Sequence, residues 1–164
     1  MEIEFSKIVN VTDRGLHALR EANSCAGTND EVWRSLWDVH NAASQLEHIN
    51  SIASSILSCK QLLVIGIGGS ALGLKAVHQA LSSLDQSPTL SVLDNVDPVL
   101  VQETISAIES ADPTSNDTAV IVISKSGSTA EIAALLMVTQ QAMPQAKYIA
   151  ITEEASQLHA YALS

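Results

Sequence analysis

The sequence predicts an α/β protein: a three-layer αβα sandwich on a mostly parallel sheet, preceded by a helical N-terminal segment. Three observations carry this expectation. Apolar runs at 62–67, 90–93, 119–123 and 148–151 read as buried strands. Helical patterns fall between them, at about 70–84, 98–109 and 129–141. Two of the strands run straight into glycine- and serine-rich turns, the form taken by successive βαβ units.

Taken in order, the chain divides near Lys60 into a helical segment, 1–60, and a strand–helix region, 61–164. Thr28 with Glu31 three residues later resembles a capping box. It precedes a stripe of Val32, Leu36, Val39, Ala43 and Leu46 at helical spacing. Trp33 and Trp37 lie one turn apart beside that stripe, placed to pack on a neighbouring helix or domain. A second helix is expected over 49–57. Asp97-Pro98 marks a helix start, because Asp caps and Pro suits the first helical position. Pro113 and Pro144 fall in connections. After the fourth strand another helix begins at 156–163, so the sheet is expected to be incomplete, cut after that strand.

The chain has 164 residues, enough for one domain with a real core. Aromatic residues make up only 3%, so that core must be Leu, Ile, Val and Ala. Eight Lys and Arg against 18 Asp and Glu give a formal net charge of −10. Such a chain repels nucleic acid and anionic membranes unless it concentrates a basic patch, and none is visible. Cys25 and Cys59 form no C-x-x-C pair, and no secretory signal opens the sequence, so a reduced, cytoplasmic setting is expected. No apolar run approaches the roughly 20 residues that cross a bilayer. His17, His40, His48, His78 and His159 make no metal-ligand spacing with each other or with a cysteine, so no metal is expected.

Chemistry concentrates in the two polar turns. The first strand leads into G-I-G-G-S-A-L-G (66–73) and the third into S-K-S-G-S-T-A-E (124–131). In the flavodoxin-like strand order 2-1-3-4-5, strands one and three are neighbours, and both turns open into one crevice at the carboxyl edge of the sheet. The second turn offers Ser124, Ser126, Ser128 and Thr129 with Lys125 and a glycine. Helix capping by Ser128, with Glu131 three later, would use one hydroxyl. Four hydroxyls and a lysine exceed that need and suit a phosphate held at a helix N-terminus. Gly69, Ser70, Ser124, Lys125, Ser126 and Thr129 are therefore the candidate phosphate ligands.

Rival readings exist for these residues. Gly66, Gly68 and Ala71 satisfy a dinucleotide fingerprint, and Asp94 ends the second strand where a ribose-binding acid would fall. Against a dinucleotide stand the Ser70 hydroxyl, where a pyrophosphate needs bare backbone, and the second polar turn. The second turn is not a Walker A loop, and no G-x-S-x-G elbow is present.

Together, I-G-I-G-G-S-A-L-G, D-N-V-D-P and I-S-K-S-G-S-T-A-E, in this order and spacing, resemble the glucose-6-phosphate isomerases, part of the larger group of sugar-isomerase (SIS) domains. The resemblance runs from about Leu62 to the end, with I-T-E-E-A-S-Q-L similar to the family's continuation after the fourth strand. It implies an SIS-type sheet and a sugar phosphate bound by Ser70, Ser124, the Lys125 backbone, Ser126 and Thr129. It also implies aldose–ketose isomerisation through an enediol without a cofactor, and pairing of two copies. Family members usually carry Thr where this chain has Ile132, and often Thr at Ser128. The family's glutamate base, its arginine and its histidine and lysine near the ring come from segments with G-G-R and E-S-N-G-type motifs, which do not occur here. No catalytic residue is therefore expected in these 164 residues. A non-catalytic SIS module that senses a sugar phosphate is the alternative, and a dinucleotide-binding domain the third.

Overall fold

A computed structural model describes residues 39–81 and 88–164, with side chains from Leu46 onward. The chain divides into two compact units, Met1–Ile52 and Ala53–Ser164. Of the first, the described part is the beginning of helix α1 (Val39–Ser54). The sequence expects one helix ending near Leu46 and a second over 49–57, whereas among the described residues a single helix runs through that boundary. Glu47 and His48 contain no helix breaker, so α1 continues through them. It gives way after Ser54 to turns in which Leu57 N–H bonds the Ala53 carbonyl at 3.0 Å and Cys59 N–H that of Ile56 at 2.9 Å. Thr28, Glu31, Trp33, Trp37 and Cys25 lie outside the described residues.

The second unit alternates strictly: β1 (Gln61–Gly66), α2 (Gly69–Leu81), β2 (Thr89–Leu93), α3 (Pro98–Ala111), β3 (Thr118–Ile123), α4 (Ala130–Ala142), β4 (Lys147–Ile151) and α5 (Gln157–Ala162). The four strands form one parallel sheet in the order β2-β1-β3-β4. The chain therefore moves one way across the sheet from β1 to β2 and the other way from β2 to β3 and β4. Connections of a single hand then place α2 on one face and α3 and α4 on the other. The expected α/β architecture is present, with each strand beginning one residue earlier than the apolar run suggests and β1 ending at Gly66.

Alternation along the strands divides the buried side chains between the two faces. Leu63 and Ile65 of β1, Val120 and Val122 of β3 and Leu93 of β2 form one cluster. Val101, Ile105 and Ile108 of α3 and Ile132, Leu135 and Leu136 of α4 close over it. Their spacings of three and four put each set on one helix face. Each such aliphatic side chain contributes about 1.5–3 kcal/mol when fully buried, so this cluster is the main source of cohesion. Val64 points to the opposite face, where α2 contributes the fully buried Ala71.

Two polar devices fix the connections. Asp97 caps α3, its Oδ1 accepting from the N–H groups of Val99 (2.9 Å) and Leu100 (3.0 Å), as Asp-Pro predicts. At the other end of α3, the Asp112 carboxylate accepts from Thr118 Oγ1 (2.8 Å), Asp117 N–H (2.9 Å) and Thr114 Oγ1 (3.2 Å). Burial alone would raise its pKa. The hydrogen bonds from Thr118, Asp117 and Thr114 outweigh that and hold it below the usual carboxylate range. None of the described helices is long and apolar enough to cross a membrane.

Candidate functional site

Strand register brings the two polar turns together. Gly66 pairs with Ile123 across β1 and β3, and Ile123 with Ile151 across β3 and β4. The segments that follow, starting at Ile67, Ser124 and Thr152, thus leave the carboxyl edge at one height. Ser70 from the first turn and Ser124, Lys125, Ser126 and Thr129 from the second line a common cavity of about 380 Å³. Ile67, Ile123 and Ile132 complete its wall. Five of the six sequence-selected ligands are brought together. Gly69 opens α2 beside the cavity and is not part of its lining.

The donors in this cavity are open to an anion. The Ser70 and Thr129 hydroxyls make no hydrogen bond to a described residue. Thr129 is the N-cap of α4, yet its side chain caps nothing. The first intrahelical bond runs from Ala133 N–H to the Thr129 carbonyl at 3.1 Å. Three N–H groups in the first turn of α4 therefore lack a helical acceptor. The expected Ser128–Glu131 capping box does not form, because α4 starts one residue too late for it. Ser128 instead turns its hydroxyl back to Ser126 Oγ at 3.1 Å. Ser124, almost fully buried, accepts from Gly127 N–H at 3.2 Å and keeps its own proton to donate. Hydroxyls and unpaired amides around a helix N-terminus form a cradle for a phosphate dianion.

Charge is sparse here. The Lys125 ammonium lies 3.7 Å from Glu153 Oε1, with the two side chains 87% and 60% exposed. A contact so open to water contributes little and leaves the amine free to turn to a ligand. Asp94 is engaged elsewhere: its Oδ2 accepts from Lys75 Nζ at 2.7 Å in a half-buried ion pair between the end of β2 and α2. Glu131 is exposed in the first turn of α4 and outside the lining. Among the described residues that line the cavity, none carries a carboxylate or an imidazole. A larger cavity, about 570 Å³, lies between α3 and α4 against Val101, Ile105, Leu135 and Val138, and its wall is overwhelmingly apolar. Among the described residues, no three His, Cys, Asp or Glu gather as a metal site.

Sequence reasoning did not single out the residues behind the second turn. The β4–α5 segment, Thr152 to Ser156, packs on the side of that turn away from β1. Its signal is Ser156, whose hydroxyl caps α5 by accepting from His159 N–H at 3.0 Å.

A family model of phosphoglucose isomerase matches residues 9–164. The chain belongs to the phosphoglucose isomerase family. A probable glucose-6-phosphate isomerase from Haloquadratum walsbyi is 34% identical over 103 residues, which are 59% of this chain and 24% of that protein. Among solved structures, a hypothetical protein from Thermus thermophilus superposes with a TM-score of 0.74 at 25% identity, covering 90% of this chain and 36% of its own. A glucose-6-phosphate isomerase from Chlamydia trachomatis gives 0.61 at 27% identity, covering 76% of this chain and 25% of its own. The chain thus spans about a quarter of the length of the Haloquadratum relative.

Proposed function

We propose that this chain is the phosphate-binding part of a glucose-6-phosphate isomerase, which interconverts glucose 6-phosphate and fructose 6-phosphate. The observation that carries this reading is the cavity in which Ser70 of one turn faces Ser124, Lys125, Ser126 and Thr129 of the other. Two free hydroxyls, the uncapped amides of α4 and an exposed ammonium supply donors on several sides of a phosphate. Gly69 adds its backbone at the N-terminus of α2, and a side chain there would meet no protein atom within 4 Å. The pairing of Asp94 with Lys75 weighs against a dinucleotide, since it occupies the carboxylate that a ribose would need.

The same cavity limits the chemistry. Isomerisation moves a proton between neighbouring carbons and needs a base within hydrogen-bond reach of it. Among the described residues of the lining stand hydroxyls, a lysine and isoleucines, which suit holding the sugar by its phosphate rather than taking its proton. A cytoplasmic setting and pairing of two copies belong to the same reading.

Thermal unfolding with added fructose 6-phosphate tests it, read beside NAD and a coupled isomerase assay. Binding raises the midpoint in proportion to RT ln(1 + [L]/Kd). The expected outcome is a concentration-dependent rise with the sugar phosphate, none with NAD, and no sustained turnover by these 164 residues. A rise with NAD alone contradicts the proposal.

A further inference from the structure

The second phosphate turn is held from behind by the β4–α5 segment, and the contact converges on one carbonyl. Lys125 C=O accepts from Glu153 N–H at 3.2 Å and from Thr152 Oγ1 at 3.4 Å. Thr152 Oγ1 also lies 2.7 Å from Ser156 Oγ. A hydroxyl has one proton, so Thr152, donating to Lys125, must accept from Ser156. Ser156 Oγ in turn accepts from His159 N–H at 3.0 Å. A directed relay therefore runs from the first turn of α5, through Ser156 and Thr152, to the Lys125 carbonyl. Beside it, Gly127 packs so closely that an added Cβ would lie 2.7 Å from Ser156 Oγ and 2.8 Å from Leu158 N.

Peptide geometry turns this anchor into a functional statement. A planar trans peptide carries its C=O and the next residue's N–H in opposite directions. Holding the Lys125 carbonyl on the β4 side aims the Ser126 N–H to the other side, toward β1, where Ser70 and the cavity lie. We infer that Thr152 and Ser156 are positioning residues, which preset the Ser126 amide as a phosphate donor by fixing the Lys125 carbonyl. Neither lines the cavity, so neither touches the ligand. The inference rests on the phosphate-binding reading above and adds to it what orders the turn before the ligand arrives. Without the relay, the Lys125 carbonyl keeps only the Glu153 N–H bond, so the peptide is held less firmly, and ordering it on binding lowers affinity.

Isothermal titration of the full chain with fructose 6-phosphate and with inorganic phosphate, beside thermal midpoints, tests this. Thr152→Val keeps the shape and removes the relay, and Thr152→Ser keeps the hydroxyl. Ser156→Ala breaks the relay at its other end. One hydrogen bond lost from preorganisation corresponds to about a fivefold weaker Kd. The expected result is that loss in Thr152→Val and Ser156→Ala for both ligands, with near-normal affinity in Thr152→Ser. A merely structural role would lower the midpoint of Thr152→Val and leave its Kd unchanged, which overturns the inference. Tight binding by the unaltered chain and by Thr152→Val alike overturns the inference while sparing the site. No binding by the unaltered chain overturns the site itself, and the inference with it.

Discussion

Gly68 and Gly127 both adopt the left-handed region, at φ of 59° and 65°, but their surroundings differ. Around Gly68 a Cβ would meet nothing within 4 Å, whereas at Gly127 it would strike Ser156 and the Leu158 backbone. Gly68→Ala should therefore cost only the backbone penalty, about 1–2 kcal/mol. Gly127→Ala should lose more, because the backbone nitrogen at 2.8 Å cannot move aside as a flexible side chain would. Chemical denaturation should show the larger fall in stability for Gly127→Ala, together with loss of phosphate binding as the turn is pushed off α5. Equal stabilities would show that the close packing is relieved at no cost. At this scale the sequence revealed the hydroxyls that line the cavity, because Ser70 sits in one polar turn directly after a strand and Ser124, Ser126 and Thr129 sit together in the other. It did not reveal Thr152, whose partner Lys125 lies 27 residues earlier and meets it only through strand pairing, nor Ser156, which reaches Lys125 only through Thr152.

Among the elements, the α3–β3 connection depends most on one ionised group. Asp112 satisfies the Thr118 hydroxyl, itself fully buried, and the Asp117 N–H with one oxygen. Asp112→Ala leaves that hydroxyl unpaired, which costs about 1–3 kcal/mol. Because its pKa is lowered in the folded state, its contribution is fully present above the ordinary carboxylate range and fades as pH falls through the depressed value. Stability measured against pH should thus lose part of its acid-limb slope in Asp112→Asn. An unchanged slope would mean that Asp112 does not carry this linkage. The element boundaries were legible where chemistry marks them, as at Asp97-Pro98. They were not legible in α1, where Glu47 and His48 interrupt the apolar stripe without breaking the helix, so pattern alone sets a boundary that the described helix runs through. The capping box at Ser128 misled for a related reason. Either Ser128 or Thr129 could cap α4 by type, and only the backbone decides that the cap is Thr129.

On the scale of the molecule, alternating apolar runs and helical patterns predict the parallel sheet, and the flavodoxin-like order taken for it, which brings both polar turns to one switch point, agrees with the observed β2-β1-β3-β4. What the pattern could not supply is the register that sets Gly66 beside Ile123 and so the common height at which the two turns meet. That convergence is the central claim, and an amide NMR titration with fructose 6-phosphate tests it most directly. The account predicts saturable shifts at Gly69, Ser70 and residues 124–129, following one binding curve, while the amides between α3 and α4 stay still. Shifts confined to one of the two turns, or centred on the apolar cavity between α3 and α4, would contradict it.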